Sequence, residues 1–468
     1  MSKIYKIHQD DNVAVELEND GNVKPGHKIA LVNIKSGEYV IKYGHIIGIA
    51  SQDIKAGEWV HSHNLKTHLD TQKNDYEYKP SLEEINYKKG TFLGYKRKNR
   101  RAGIRNDIYI IPTVGCVNGV AKSISEISQK YKRGNIDSIS YLPHQFGCSQ
   151  LGQDQTNIET ILANIALNPN ATYVLFVGLG CENSSIERIK SIIDKKNVNH
   201  VKYYNCQNVE NEVEYGVEII KEFIDKAASL EREEVDISEL CIGLKCGGSD
   251  GYSGITSNPV AGMVSNIIIE HGGSAILTEV PEMFGAEQIL MNKCINKTVF
   301  SSYCKMINDF KNYYITQGFP VYENPSPGNK EGGITTLEEK SLGCITKAGK
   351  YPIVDVLNYG QAITKCGLNV LDGPGNDLIA STSLGASGCQ LILFTTGRGT
   401  PYSSFVPTIK IASNSLMANK KNNWIDYDAS SLDYEKLYDL VLKTASGLYK
   451  CKQEENKEIA FFKKGITL

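Results

Sequence analysis

The sequence predicts an α/β protein with a small N-terminal all-β domain, a Rossmann-like parallel α/β middle domain and a mixed α/β C-terminal domain. Three observations support this prediction: a repeated strand–turn–strand pattern near the N-terminus, apolar runs that alternate with helical periodicity in the middle, and Gly-rich loops between helical stretches after them. The chain has 468 residues. Single hydrophobic cores stop growing near ~250–300 residues, so we expect more than one domain.

Bulk composition excludes several classes of protein. Hydrophobic residues make up 41% of the chain and charged residues 22%, which are ordinary values for folded globular proteins. Lys and Arg number 51 against 53 Asp and Glu, so no global field exists to hold nucleic acid or an anionic membrane. The N-terminal segment lacks a signal-peptide pattern, and no apolar run approaches the ~18 residues of a membrane span. We therefore expect a soluble, cytoplasmic protein with no nucleic-acid or membrane partner, whose 12 cysteines are reduced thiols.

The first segment contains an internal sequence repeat. GHKIALVNIKSGEYV at residues 26–40 is followed by GHIIGIASQDIKAGEWV at residues 44–60. Each copy is typical of two short strands joined by a turn at Lys-x-Gly-Glu, because Gly supplies the turn conformation and the flanking Ile, Val, Tyr and Trp favour strands. We assign residues 1–64 to the small all-β domain and the polar, aperiodic residues 65–90 to a surface connector.

The middle of the chain, residues 91–245, has the rhythm of βαβ units. Apolar runs alternate there with helix-period segments, which indicates a parallel sheet. The runs lie at residues 108–114, 136–142, 172–178, 201–205 and 240–245. Residues 246–468 form the predicted C-terminal α/β domain, which combines helical stretches with one plain strand at residues 391–396, and the pattern does not define its topology.

Three predicted strands of the middle domain are followed by a Gly–Cys corner. The corners PTVGC, HQFGC and GLGC end at Cys116, Cys148 and Cys181. In open α/β sheets ligands bind at the carboxyl ends of the strands, so the three thiols are candidate ligands of iron or of an Fe–S cluster. The alternative is that each Cys is a small buried hydrophobe packed beside Gly at a tight turn.

A second candidate metal site lies in the N-terminal domain. His61 and His63 in VHSHN are two residues apart after a strand, which places both imidazoles on one face of an extended chain. His8 and His27 lie in the same domain and are further candidate ligands of a shared divalent metal. Exposed polar histidines or capped turns are the alternative interpretation.

Three glycine-containing loops are candidates for presenting backbone N–H groups to oxyanions. They are KCGGSDGYSG at residues 245–254, NPSPGNKEGG at residues 324–333 and FTTGRGTPY at residues 394–402. Arg398 in the third loop is suited to holding a carboxylate through two hydrogen bonds. Ordinary tight turns and a surface arginine remain the alternative.

These strings together resemble the altronate/galactarate dehydratase family of sugar-acid dehydratases. The N-terminal part is similar to the family's β-clip (SAF) domain through DNVAVEL, GHKIAL, VIKYGHIIG and GEWVHSHN. The larger part is similar through RAGIRN, PTVGCVN, GLGCEN, CGGSDGYSG, NPSPGNKEGG, EKSLG and FTTGRG. The resemblance covers nearly the whole chain.

The resemblance implies loss of water from carbons 2 and 3 of an aldonic or aldaric acid, which gives a 2-keto-3-deoxy acid. It also implies Fe²⁺ or Mn²⁺ as the metal, with an Fe–S cluster as the alternative cofactor. Such a reaction needs a base for a weakly acidic proton, a cation for the resulting anion and an acid for the leaving hydroxyl. The candidates are His144 and Lys330 for acid–base catalysis, Arg105, Asn106, Asp250 and Arg398 for substrate binding, and His61, His63, His8 and His27 for the metal, with Cys116, Cys148 and Cys181 as the rival iron ligands.

Two sequence motifs bear on the choice of substrate, and they indicate different branches of the family. VHSHN resembles the altronate branch of the family, whereas TTGRGTPY resembles the galactarate branch. We expect D-altronate, with galactarate or a sulfonated hydroxy acid as alternatives, and a homo-oligomeric enzyme. A sugar-acid-binding protein that keeps the fold without turnover is the hypothesis from a different class, and metal-dependent consumption of the acid would distinguish the two.

Overall fold

The computed structural model describes residues 3–19, 21, 23–69 and 75–468. Residues 1, 2, 20 and 22 of the predicted N-terminal domain and residues 70–74 of the predicted connector therefore lie outside the described residues. Within the described ranges, no helix has both the length and the apolar character needed to cross a membrane.

The N-terminal region is all-β, as predicted. It contains two antiparallel sheets, with strand orders β1-β2-β3-β6 and β4-β5-β7. The strands are β1 Ile4–Tyr5, β2 Val13–Glu16, β3 Lys28–Ala30, β4 Tyr39–Lys42, β5 His45–Ala50, β6 Trp59–Val60 and β7 Leu65–Lys66.

The internal sequence repeat corresponds to two turns of the same conformation. Lys35 N donates to Glu38 Oε2 over 2.7 Å, and Lys55 N donates to Glu58 Oε2 over 2.9 Å. Gly37 and Gly57 have φ angles of 89° and 87°, the left-handed region that favours glycine. The two copies of Lys-x-Gly-Glu therefore form the same turn, for the reason the sequence indicates.

The middle region contains a four-stranded parallel sheet in the order β10-β9-β11-β12. A two-stranded antiparallel ribbon, β8 with β13, flanks it in sequence. The elements are β8 Thr91–Gly94, β9 Asp107–Pro112, α1 Asn118–Ser128, β10 Ser138–Tyr141, α2 Gly152–Leu167, β11 Ala171–Gly178, α3 Ile186–Ile193, β12 Val201–Asn205, α4 Glu212–Ala227 and β13 Glu233–Asp236.

Successive residues of β9 face different hydrophobic cores. Ile108 and Ile110 pack with α1 and α4, whereas Tyr109 and Ile111 pack with α2 and α3. A parallel sheet that is covered by helices on both faces requires this arrangement. The sequence of each of its strands is therefore a continuous apolar run. The second of these cores also contains Ile392 and other residues of the C-terminal region, so the two regions are packed into one body.

The C-terminal region is organised around a seven-stranded parallel sheet in the order β16-β17-β15-β14-β18-β20-β21. The elements are β14 Cys241–Cys246, α5 Ser257–Glu270, β15 Ser274–Leu277, α6 Glu287–Met291, α7 Lys297–Thr316, α8 Pro327–Glu331, α9 Leu337–Cys344, β16 Ile353–Leu357, β17 Gly367–Leu371, α10 Asp377–Ala386, β18 Leu391–Thr396, β19 Ser403–Ser404, β20 Thr408–Ala412, α11 Ser415–Lys420, β21 Tyr427–Asp428, α12 Tyr434–Ala445 and β22 Lys457–Glu458.

One strand belongs to a different sheet from the one predicted. The run at residues 240–245 was assigned to the middle domain, but β14 pairs with β15 and β18 at the centre of the C-terminal sheet. Local periodicity identifies a buried strand and does not identify its neighbours, which lie further along the chain. Because β15 lies on one side of β14 and β18 on the other, the strand order reverses at β14, and such a reversal creates a crevice at the carboxyl ends.

Candidate active site

Two cysteines and one glutamate meet at this crevice. Cys246 is the last residue of β14, Glu282 follows β15, and Cys344 is the last residue of α9. Cys246 Sγ lies 3.4 Å from Cys344 Sγ and 3.0 Å from Glu282 Oε2, and Cys344 Sγ lies 3.2 Å from Glu282 Oε2. Within the described ranges, this is the group that brings three potential metal ligands within 4.8 Å of one another, and all three residues are buried.

The geometry of this group fits a small divalent cation. Two thiolates held ~2.3 Å from a tetrahedral ion lie about 3.8 Å apart, close to the separation of the two sulfur atoms. Two soft thiolates with one carboxylate suit Fe²⁺ or Zn²⁺ better than Mn²⁺, which prefers oxygen ligands. The contact with Cys344 and burial raise the pKa of the Cys246 thiol well above its ordinary value, so a bound cation would have to displace the proton.

Three lysine ammonium groups surround the two cysteines and the glutamate. Lys347 Nζ lies 2.8 Å from Cys246 Sγ, Lys340 Nζ lies 2.8 Å from Glu282 Oε1, and Lys245 pairs with Glu279 and with Asp377. Burial would raise the pKa of Glu282, but the neighbouring lysines outweigh burial and lower this pKa to about 2. The site therefore combines potential metal ligands with three buried ammonium groups, each of which already has an acidic or thiol partner.

Asp250 is held at the edge of this site by a dense set of donors. Its carboxylate accepts hydrogen bonds from Ser253, Ser413 and Asn414 at 2.8–2.9 Å. Burial nevertheless raises the pKa of Asp250. A small cavity lies next to Asp250, and one of its lining residues, Ser249, has a buried hydroxyl without a hydrogen-bond partner among the described residues.

The N-terminal domain covers the site through two histidines. His27 Nε2 donates to the Glu331 carbonyl over 3.1 Å, and His61 Nε2 donates to the Lys330 carbonyl over 2.8 Å. Both carbonyls belong to α8, whose loop was predicted to bind oxyanions. Burial, followed by the charge of His61, lowers the pKa of His27 to about 4, so the ring is neutral at physiological pH.

The four histidines predicted as metal ligands are only partly brought together. His27, His61 and His63 surround Trp59, with ring centroids 4.9–5.6 Å from the indole. Both ring nitrogens of His27 and of His61 already have hydrogen-bond partners. His8 instead accepts from Asp10 N in a separate turn. This arrangement joins two domains, and a metal there would have to displace the existing hydrogen bonds.

A buried ion cluster joins the same two domains beside the site. Lys28 Nζ and Lys42 Nζ each lie 2.8 Å from the Glu339 carboxylate, and all three side chains are at most 1% exposed. Burial would raise the pKa of Glu339, but the two lysines outweigh burial and lower this pKa. Burial lowers the pKa of Lys28 to about 8.

The predicted substrate ligands separate into two groups. Asp250 lies at the site, and Arg398 follows β18 and donates to the Gly328 carbonyl and the Glu331 carboxylate in the α8 loop. Arg105 and Asn106 instead lie at the amino end of β9. All five N–H donors of Arg105 are engaged, mainly by Glu454 and backbone carbonyls, and Asn106 donates to two carbonyls, which leaves neither side chain a free donor for a substrate.

The two predicted acid–base residues also differ in position. Lys330 lies in α8 at the domain contact described above. His144 lies in the middle region, where its Nε2 donates to the Pro112 carbonyl over 2.7 Å and its Nδ1 accepts from Phe146 N. These contacts hold a loop in place and leave no ring nitrogen free to exchange a proton with a substrate.

Sequence reasoning missed the residues at the centre of the site. Cys246 directly follows the strand predicted at residues 240–245, so the rule that ligands bind at the carboxyl ends of strands would also have identified it. Lys245 and Lys340 stand in strings that the sequence analysis singled out, but Glu282, Cys344 and Lys347 carry no local signal, because their contacts join segments that are far apart in the sequence.

Fold and site together define an α/β protein with a polar, lysine-rich crevice at the carboxyl edge of a parallel sheet, covered by a small β domain. Three family models match consecutive parts of the chain. They are the altronate/galactarate dehydratase SAF domain at residues 3–68, the D-galactarate dehydratase/altronate hydrolase second domain at residues 94–228 and the D-galactarate/altronate dehydratase C-terminal domain at residues 237–467.

Relatives of known activity align along nearly the full length. The altronate dehydratase of Bacillus subtilis (strain 168) is 47% identical over 100% of both chains. The altronate dehydratase of Escherichia coli (strain K12) is 45% identical over 98% of this chain and 94% of that one. The galactarate dehydratase (L-threo-forming) of Escherichia coli (strain K12) is 31% identical over 94% and 92%. The chain therefore belongs to the altronate/galactarate dehydratase family of hydro-lyases, as its motifs predict.

Proposed function

We propose that this hydro-lyase removes water from D-altronate and yields 2-dehydro-3-deoxy-D-gluconate in sugar-acid catabolism. The 47% and 45% identity to two altronate dehydratases, against 31% to a galactarate dehydratase, supports altronate as the substrate. The structural observation that carries the proposal is the group of Cys246, Glu282 and Cys344 within 4.8 Å of one another, surrounded by three lysines.

The surroundings of the two cysteines and Glu282 match the needs of this reaction. A divalent ion bound there, Fe²⁺ in the first place and Mn²⁺ in the second, would supply Lewis-acid stabilisation of negative charge. Lys245, Lys340 and Lys347 add fixed positive charge where the substrate carboxylate and the anion formed from it would lie.

Substrate entry requires the covering domain to move. The cavity between Lys42, Asp250 and Cys344 has a volume of about 10 Å³, which is close to the space one water molecule needs. A six-carbon acid does not fit this cavity as it stands, and we propose that it enters when the contacts of His27 and His61 with α8 open. We propose that Lys330 and Arg398, which lie at this contact, meet the acid as it enters.

The test is an anaerobic assay of the purified full chain with Fe²⁺ or Mn²⁺ against altronate, galactarate and sulfolactate. We expect keto-deoxy product from altronate, and the variants Glu282→Gln and Cys344→Ser should lose at least ~100-fold in activity together with bound metal. Cys304→Ser, which changes a half-buried cysteine outside the site, is the matched control and should keep both.

Three results would contradict the proposal. Product from galactarate or released sulfite from sulfolactate, without turnover of altronate, would replace the substrate. Thermal stabilisation by altronate without any product would indicate a binding protein instead of an enzyme. Full activity of Glu282→Gln would exclude the carboxylate from the active site.

A further inference from the structure

The three Gly–Cys corners of the middle domain are unusual because their thiols are exposed. Free cysteine is among the most buried residue types and ordinarily packs as a small hydrophobe. Of the 12 cysteines, Cys116, Cys148, Cys181 and Cys366 are exposed, and the first three are the corner residues. The interpretation of these three as buried packing residues is therefore wrong.

Topology places the corner cysteines along one edge of a sheet. Cys116 follows β9, Cys148 follows β10 and Cys181 follows β11. These strands are neighbours in the order β10-β9-β11 and run parallel, so the three thiols lie at the same carboxyl edge. This is the edge at which open α/β sheets bind ligands.

Two backbone hydrogen bonds and one backbone-to-side-chain hydrogen bond connect the three corners. Gly115 N, next to Cys116, donates to the Phe146 carbonyl over 2.9 Å. Ser184 N donates to the Gly147 carbonyl, next to Cys148, over 3.0 Å. Ser149 N donates to Asn183 Oδ1 over 3.0 Å, which joins the second corner to the third a second time. The corners form one continuous surface and not three separate turns.

Two residues, Gly147 and Glu182, hold the loops that carry the corner cysteines in their present positions. Gly147 has a φ of 107°, and a Cβ atom there would lie 2.1 Å from the Thr113 carbonyl oxygen. Glu182 accepts hydrogen bonds from Thr113 and from the Leu179 and Gly180 backbone, which fixes the loop before Cys181 against the loop before Cys116. This packing therefore requires Gly at position 147 and a carboxylate at position 182.

The spacing of the thiols argues against a single ion. Within the described ranges, the corner cysteines do not bring three ligand atoms within 4.8 Å of one another, as Cys246, Glu282 and Cys344 do. In an iron–sulfur cluster the cysteines bind different irons, which suits a wider spacing. Thiolate ligands without carboxylates also favour clusters over hard cations.

A fourth cysteine at this edge is not equivalent to the other three. Cys206 follows β12 but is only partly exposed and packs against the core of α1 and α4. Burial, with the charge of Glu212 adding to it, raises the pKa of the Cys206 thiol to about 11. Three thiols are thus presented to solvent, whereas the fourth is half-buried against the core.

We propose that Cys116, Cys148 and Cys181 bind a [4Fe–4S] cluster through three thiolates and leave the fourth iron open to an oxygen ligand such as a hydroxy acid. This inference goes beyond the proposed function, because it assigns the middle domain a metal site separate from that of Cys246, Glu282 and Cys344. Since the thiols are exposed, the cluster is reachable from solvent and sensitive to oxygen.

The test is anaerobic reconstitution of the full-length protein with ferrous iron, sulfide and a thiol reductant. We expect visible iron–sulfur absorbance with about four irons and four acid-labile sulfides per chain, and an electron paramagnetic resonance signal after one-electron reduction. Cys116→Ser, Cys148→Ser and Cys181→Ser should each reduce the cluster content severalfold. Cys366→Ser, the exposed cysteine elsewhere, and Cys246→Ser, in the other metal group, should keep the chromophore.

Bound iron without sulfide, or a chromophore retained in the triple serine variant, would overturn the proposal. Circular dichroism of each variant shows that loss of the cluster is not loss of the fold. Protein that stays colourless after reconstitution with iron and sulfide but turns over altronate would overturn the cluster and leave the proposed function standing. A cluster in wild-type protein that turns over no sugar acid would support the site and overturn the proposed function.

Discussion

His144 illustrates how burial changes the properties of a single residue. Its side chain is buried between two loops, and burial lowers its pKa from 6.5 to about 4. The unfolded chain therefore binds this proton first when the pH falls. The stabilisation from the neutral ring is complete above pH 6.5 and is lost as the pH falls through about 4.

We expect His144→Gln to weaken the acid sensitivity of folding. The wild type should lose up to ~1.4 kcal/mol per pH unit from this one group within that window, and the variant should lose less. Urea unfolding midpoints at pH 7 and pH 5 measure the difference. His45→Gln, at an exposed position, is the control, and an identical pH dependence of wild type and His144→Gln would contradict the prediction.

At the residue scale, some of the site was accessible from the sequence. Asp250, a candidate substrate ligand, lies beside the small cavity because its loop follows a strand at its carboxyl end, and its role in substrate binding stays a prediction. Arg105 is a candidate substrate ligand through the family resemblance, and only the structure shows that Glu454 and backbone carbonyls occupy its donors.

At the scale of elements, α7 depends on its first residue. Asn296 caps this helix, since its side chain accepts from Val299 N over 3.0 Å. Asn296→Ala should destabilise the first turn by ~1 kcal/mol, because an N–H group then loses its partner. Hydrogen exchange of the Val299 amide should become faster. Asn296→Asp keeps an acceptor and should preserve protection, and unchanged exchange in the alanine variant would contradict the role of the cap.

Elements were predictable where their signals are local. The motif Lys-x-Gly-Glu predicts the two turns of the N-terminal sequence repeat, and the apolar runs predict the strands of the middle sheet. The sheet to which a strand belongs could not be predicted from the residues of that strand alone. The strand β14 was assigned to the wrong sheet because its partners β15 and β18 come later in the chain.

At the scale of the whole molecule, Glu339 joins the N-terminal domain to the C-terminal region. Glu339→Gln leaves Lys28 and Lys42 buried without a carboxylate, and removing one partner from a buried ion pair costs ~3–5 kcal/mol. We expect a lower urea midpoint and earlier proteolysis of the N-terminal domain. Glu455→Gln, which removes a surface partner of Lys450, should leave the midpoint unchanged. An equal midpoint for Glu339→Gln and wild type would contradict this role.

The sequence by itself determined the α/β class, the all-β N-terminal domain, the family and the positions of the Gly–Cys corners. Each of these depends on residues close together in the chain or on long ordered motifs. Only the tertiary structure decided that Cys246 meets Glu282 and Cys344, which lie 36 and 98 residues further along the chain. The physical reason is that parallel strands and their connecting helices bring distant segments to one sheet edge, and no local pattern records which segments meet there.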